Sequence, residues 1–108
     1  MLNKVYQVPY GTKDILPGEM KRRRKIENAI LDIFENWGYE EVKTPGFEYA
    51  DTFGSMVKDS DFRFFDRNNN LLVLRNDMTA PIARLAATRL QQEEGSKRLC
   101  YLANLYSY

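Results

Sequence analysis

Asp77 and Thr79 lie two positions apart, after the apolar run Leu71-Leu72-Val73-Leu74 and before a periodic segment that starts at Ala80. A strand that gives way to a helix here aims a carboxylate and a hydroxyl from the strand's end. The unpaired N–H groups of the first helical turn lie beside them. That set suits a small ligand carrying both an ammonium and a carboxylate. Arg75, at the end of an otherwise apolar strand, needs a partner for its charge, and Asp77 or a ligand carboxylate would supply one. The same residues also have a purely local use, in which Thr79 caps the helix and Asp77 complements its dipole. For Asp77 and Thr79 alone the two uses weigh evenly, and Arg75 shifts the balance toward a site.

Other chemistry is sparse. The sequence holds no histidine, which removes the commonest general base and the commonest transition-metal ligand. Cys100 stands alone, so no disulfide framework or cysteine metal site can be built. Asp59, Asp61 and Asp66 are too loosely spread for a hard-cation loop, and no cofactor motif is present. Gly11-Thr12-Lys13-Asp14 is too short for a phosphate loop and reads as a packing turn. Lys21-Arg22-Arg23-Arg24-Lys25 spreads its charge around a helix and is partly offset by Glu19 and Glu27. A solvated helix is the better reading, and a nucleic-acid-binding module the lesser one.

The 108 residues amount to one ordinary domain or a piece of one, and 44% hydrophobic content is enough for a core. Sixteen Lys+Arg against fifteen Asp+Glu give no global pull toward nucleic acid or membrane. No apolar run approaches the roughly 20 residues of a membrane span. The start, Met1-Leu2-Asn3-Lys4, lacks the apolar core of a signal peptide, so the protein reads as cytoplasmic. Residues 99–108 are apolar, aromatic and strand-like with no polar tail, which predicts the N-terminal part of something longer.

The elements that must position Asp77 follow from periodicity. A first helix is predicted over 19–37, with Ile26, Ala29, Ile30, Ile33, Phe34 and Trp37 on one face, Pro17 ahead of it and Gly38 as its C-cap. Residues 39–44 predict a strand ended by Pro45. A helical turn and a loop follow over 51–60. Residues 62–75 predict a hairpin turned by Asn68-Asn69-Asn70. A second helix is predicted over 80–93, with Ile82, Leu85, Ala86, Arg89 and Leu90 inward and Arg84 outward. The aromatic residues are expected to be core. The order predicts an α+β class, a mainly antiparallel sheet with helices packed on one face.

Three stretches resemble the class II aminoacyl-tRNA synthetase fold in its histidyl branch. They are Gly11-Thr12-Lys13-Asp14-Ile15-Leu16-Pro17, the run from Trp37 to Glu48 (similar to class II motif 1), and Leu74-Arg75-Asn76-Asp77-Met78-Thr79-Ala80-Pro81. The resemblance implies a partial class II catalytic-core fold over residues 1–108. It also implies a homodimer interface at the motif 1 region, with Pro45 and Phe47 as candidates. Two kinds of protein share this architecture: histidyl-tRNA synthetases, and non-catalytic regulatory subunits of ATP phosphoribosyltransferase. Asp77-Met78-Thr79 followed by Pro81-Ile82-Ala83-Arg84, and Phe64-Phe65-Asp66-Arg67, are similar to the second kind, although Asn76 replaces the proline usual in both.

Leu105-Tyr106-Ser107-Tyr108 falls where motif 2 places the arginine that grips the ATP α-phosphate. Ser107 stands there, and a serine supplies no bidentate cation. Losing such a clamp costs several kcal/mol, on the order of thousandfold in rate. The resemblance therefore implies a short-form catalytic subunit as partner, histidine as effector, no cofactor and no tRNA. It also implies a histidine-like amino acid held by Asp77, Thr79 and Arg75.

Overall fold

The computed structural model describes residues 3–93 and 95–107. Tyr108, the last residue of the motif 2 reading, lies outside them. The chain divides into two units, one ending at Glu40 and the other starting at Glu41.

In the first unit, a turn at residues 9–12 is closed by the Thr12 N–H and hydroxyl, both donating to the Pro9 carbonyl. Helix α1 then runs Pro17–Asn36. Pro17 sits in its first turn, where a missing N–H costs nothing. Glu19 complements the positive end of the dipole and receives Lys13 and Arg23. These pairs are exposed and contribute little stability.

Gly38 ends the helix with φ at 83°, a left-handed turn that a side chain would strain. Its N–H donates to Glu35 O, and the Tyr39 N–H reaches back to Phe34 O, both at 2.9 Å. The Phe34 and Tyr39 rings meet edge to face, 5.1 Å between centroids. The helix thus closes with a Schellman motif and its hydrophobic contact. The apolar stripe expected on α1 is present, but within this unit Ile26, Ile33 and Trp37 remain exposed.

In the second unit, strands β2 (Phe47–Tyr49), β3 (Arg63–Phe65) and β4 (Leu71–Leu74) form an antiparallel sheet in the order β2-β4-β3. The register sets Glu48 opposite Val73 and Val73 opposite Arg63. One face therefore carries Glu48, Val73 and Arg63, and the other carries Phe47, Tyr49, Leu72, Leu74 and Phe64. The first face meets helix α2 (Ala50–Phe53) and helix α3 (Thr79–Arg89), and the core is Phe53, Val73 and Ala80 with Ala50 and Val57 packed on it. An α+β architecture with an antiparallel sheet is what the alternation predicts.

The hairpin forms as expected, and Asn69 takes the left-handed conformation at φ 62°. Asp66 organises the turn, because its Oδ1 accepts the Asn68 and Asn70 N–H groups at 2.9 and 2.8 Å.

The short strand expected over 39–44 and the strand-like run from 99 are each only two residues long as ladder. Strand β1 is Glu40–Glu41 and β5 is Leu99–Cys100, with the Val42 N–H donating to Cys100 O at 2.9 Å. Beyond these strands the carbonyls of Thr44, Pro45 and Asn104 accept from the Arg75 side chain. The aromatic core also needs correction. Phe53 is buried, but Phe47, Phe62, Phe64 and Phe65 are exposed, and they fall on both faces of the sheet, Phe64 on one and Phe65 on the other.

Candidate functional site

The junction between β4 and α3 carries the residues singled out above. Met78 and Ala80 are buried, so the turn between them is fixed by packing on both sides. Pro81, buried at the third helical position, lacks only an N–H that no helical carbonyl would receive. The turn therefore exposes Asp77 and Thr79 from a rigid base.

Asp77, rather than Thr79, caps the helix. Its Oδ1 accepts the Met78 N–H at 2.6 Å and the Thr79 N–H at 3.2 Å, and the Thr79 hydroxyl donates to the same oxygen at 3.3 Å. These bonds, the Thr79 N–H first, hold the Asp77 carboxyl below its ordinary range, and the charge of Lys58 pushes the same way. Asp77 is thus an ionised carboxylate at neutral pH, at the positive end of a helix.

Arg75 is 8% exposed, and its guanidinium does not meet Asp77. Nε donates to Asn104 O at 2.6 Å, and Nη1 donates to Thr44 O at 3.2 Å and Pro45 O at 3.3 Å. Its backbone joins the same segments, with the Arg75 N–H on Gly46 O and the Tyr106 N–H on Arg75 O, each 3.0 Å. Carbonyl oxygens supply the partners that the sequence reading sought in a carboxylate.

Residues that sequence reasoning passed over lie one position before Asp77. The Asn76 amide donates to both oxygens of Asp61 at 2.8 Å, and more weakly to Met56 O at 3.4 Å. Asp61 is 2% exposed and also accepts the Lys58 N–H at 2.6 Å. With Nδ2 turned to a carboxylate, Asn76 Oδ1 is left buried without a partner. The signal in the sequence was the asparagine where the family pattern has proline.

Pro45 and Phe47 belong to a different place. They line an open groove of about 700 Å³ with Lys43, Tyr49, Leu72 and Leu85, and the residues of the Asp77 junction are not among its walls. Phe47 and Phe64 pack edge to face across β4, centroids 5.5 Å apart. At the groove's edge Arg84 grips Glu48 with two bonds of 3.0 Å, from Nε and Nη2. Arg84 therefore turns toward the sheet, not outward as the helical pattern predicts. Among the described residues no cluster of three potential metal ligands occurs, and no helix is long and apolar enough to cross a membrane.

The element order and the strand–turn–helix junction define a partial class II aminoacyl-tRNA synthetase-like core. Comparison with known proteins agrees: residues 11–108 match the family described as histidyl-tRNA synthetase. The chain belongs to the histidyl-tRNA synthetase family. It is 44% identical over 110 residues to an ATP phosphoribosyltransferase regulatory subunit of Moorella thermoacetica, covering 98% of this chain and 28% of that protein. A crystal structure named as an ATP phosphoribosyltransferase regulatory subunit/histidyl-tRNA synthetase from Bacillus halodurans matches with a TM-score of 0.86 at 38% identity, over 94% of this chain and 28% of that one. Apo S. aureus histidyl-tRNA synthetase matches with a TM-score of 0.77 at 31% identity, over 88% of this chain and 24% of that one. The chain thus spans about a quarter of the length of these relatives.

Proposed function

We propose that the full-length protein is a regulatory subunit of ATP phosphoribosyltransferase. It performs no chemistry itself. It assembles with a separate short-form catalytic chain for the first step of histidine biosynthesis and carries the feedback signal of histidine. In this reading the α-ammonium of histidine, or of a similar amino acid, lies on Asp77, and the Thr79 hydroxyl bonds beside it. Arg75 serves that pocket by holding its floor together. The face around Pro45 and Phe47 joins two copies into a homodimer, and the protein works in the cytoplasm.

The observation that carries this reading is Ser107, at the position where the family resemblance expects a phosphate-gripping arginine. Arg75 is committed elsewhere through Nε and Nη1, which serve backbone carbonyls. Relatives at 38–44% identity that bear the regulatory-subunit name support the same reading. The test is co-purification of the full-length protein with its host's phosphoribosyltransferase catalytic chain, with activity followed with and without histidine. Activity that neither needs this protein nor responds to histidine in its presence would sink the proposal.

The family description and the likeness to S. aureus histidyl-tRNA synthetase favour a second reading, a synthetase fragment. It predicts ATP- and histidine-dependent pyrophosphate exchange by the full-length protein, and absence of exchange removes it.

A further inference from the structure

A proline at position 76 would lack a side-chain donor, and the chain has asparagine there instead. What that asparagine reaches is unusual. Asp61 is a carboxylate almost wholly withdrawn from water, and among the described residues no salt bridge reaches it. Its charge is held by the Asn76 amide and the Lys58 N–H. A buried charge held by so few donors fixes their geometry, because either one moving away leaves the carboxylate uncompensated.

The two donors belong to different places in the chain. Asn76 immediately precedes Asp77, and Lys58 belongs to the loop that follows the short turn at Gly54–Met56. That loop is stiffened from its far side, where Arg63 Nη2 donates to Lys58 O at 2.9 Å. The bond from Asn76 to Met56 O adds a second attachment to the same loop. A displacement of the loop therefore pulls on the turn that presents Asp77.

We infer that Asn76 and Asp61 form a latch that positions Asp77, clamping the loop at residues 57–61 to the strand–helix junction and so fixing the carboxylate toward its ligand. The inference deepens the amino-acid site proposed above and rests on that reading for the ligand only. Neither member of the latch touches the ligand; both are positioning residues. The charge of Lys58, which already acts on Asp77, is carried by the loop that the latch holds.

The test uses the full-length protein, with hydrogen exchange resolved at single amides and L-histidine as the binding probe. In Asn76→Ala, exchange at the Lys58, Met78 and Thr79 amides rises about tenfold, the loss of one charge-assisted hydrogen bond. Exchange at Leu72, in the central strand, stays within about threefold, and L-histidine binding weakens about tenfold. The exchanged pair Asn76→Asp/Asp61→Asn re-creates an amide–carboxylate contact and restores both readouts, which a general loss of stability would not allow. Met78 and Thr79 exchange that stays unchanged while Lys58 accelerates would overturn the latch, as would equal acceleration at Leu72. Failure of the exchanged pair to restore either readout would also overturn it. A wild-type protein that binds no L-histidine removes the ligand reading alone, and the exchange comparison still decides whether Asn76 positions Asp77.

Discussion

Arg84→Met isolates the energetics of the sheet–helix contact. Glu48 is 7% exposed, and Arg84 takes both its oxygens at 3.0 Å. Removing the arginine leaves a carboxylate against the Val73 face with no partner. Breaking a fully buried pair costs about 3–5 kcal/mol. The Arg84 side chain is 32% exposed, so water reaches one side of the contact, and the expected loss falls to about 2–3 kcal/mol. Glu48→Gln keeps the shape and one acceptor and should cost about 1–2 kcal/mol. The double variant Glu48→Leu/Arg84→Met replaces the pair with apolar groups of similar size and should lie close to wild type. Native-state hydrogen exchange at the Val73 amide reads this unit directly. The single Arg84→Met change should speed it roughly 30- to 150-fold, at about 1.4 kcal/mol per factor of ten. A change below about 0.5 kcal/mol would place the pair among surface ion pairs and refute the reasoning. So would a double variant as unstable as the single one, because the stranded carboxylate would then not be the cause.

Arg75→Lys should destabilise the second unit by about 2–4 kcal/mol, because one ammonium cannot reach carbonyls on both sides as a guanidinium does. Urea unfolding gives the magnitude, and loss of protection at the Tyr106 amide gives the location. Gly38→Ala should cost about 1 kcal/mol through its positive φ, read as fraying of the last turn of α1 by exchange at the Tyr39 amide. The folded Asp77 carboxyl lies below its ordinary value of 3.8, so its stabilisation is fully present above that value. The contribution is lost as pH falls through the depressed folded value. Asp77→Asn should therefore flatten the acid limb of a stability-against-pH curve, and an unchanged limb would show that the cap does not act through its charge.

Local features were legible because their causes are local. The 3.6-residue spacing marks α1, and Pro17 and Gly38 mark its ends within a residue or two. The Asn run marks the hairpin turn, although Asp66, which collects its N–H groups, was not singled out for that role. What escaped depends on residues far apart in sequence. Arg84 falls on the polar side of a helical wheel, and nothing local reveals that Glu48, 36 residues earlier, turns it toward the sheet. Residue types point Arg75 to Asp77 or to a ligand carboxylate, whereas its side-chain partners are backbone carbonyls 29 to 31 residues away. Carbonyls leave no trace in residue type, so a composition-based search for a charged partner passes over them. The exposed aromatic residues were assigned to a core on hydrophobicity alone, and whether an apolar face is covered depends on what packs against it.

Capping and ligand binding looked like rivals at Asp77, and the geometry makes them compatible. The cap bonds all fall on Oδ1. They hold the carboxyl ionised and its plane fixed, which are the two properties that an ammonium partner requires. The contacts of Arg75 are equally independent of any ligand, since one residue joins segments around positions 45 and 105 through its backbone and side chain alike. A chain with serine at position 107 therefore keeps the strand–helix junction intact, because none of the contacts that build the junction passes through that residue. In the proposed function the phosphate grip and the amino-acid cradle are therefore separable, and losing the first does not require losing the second.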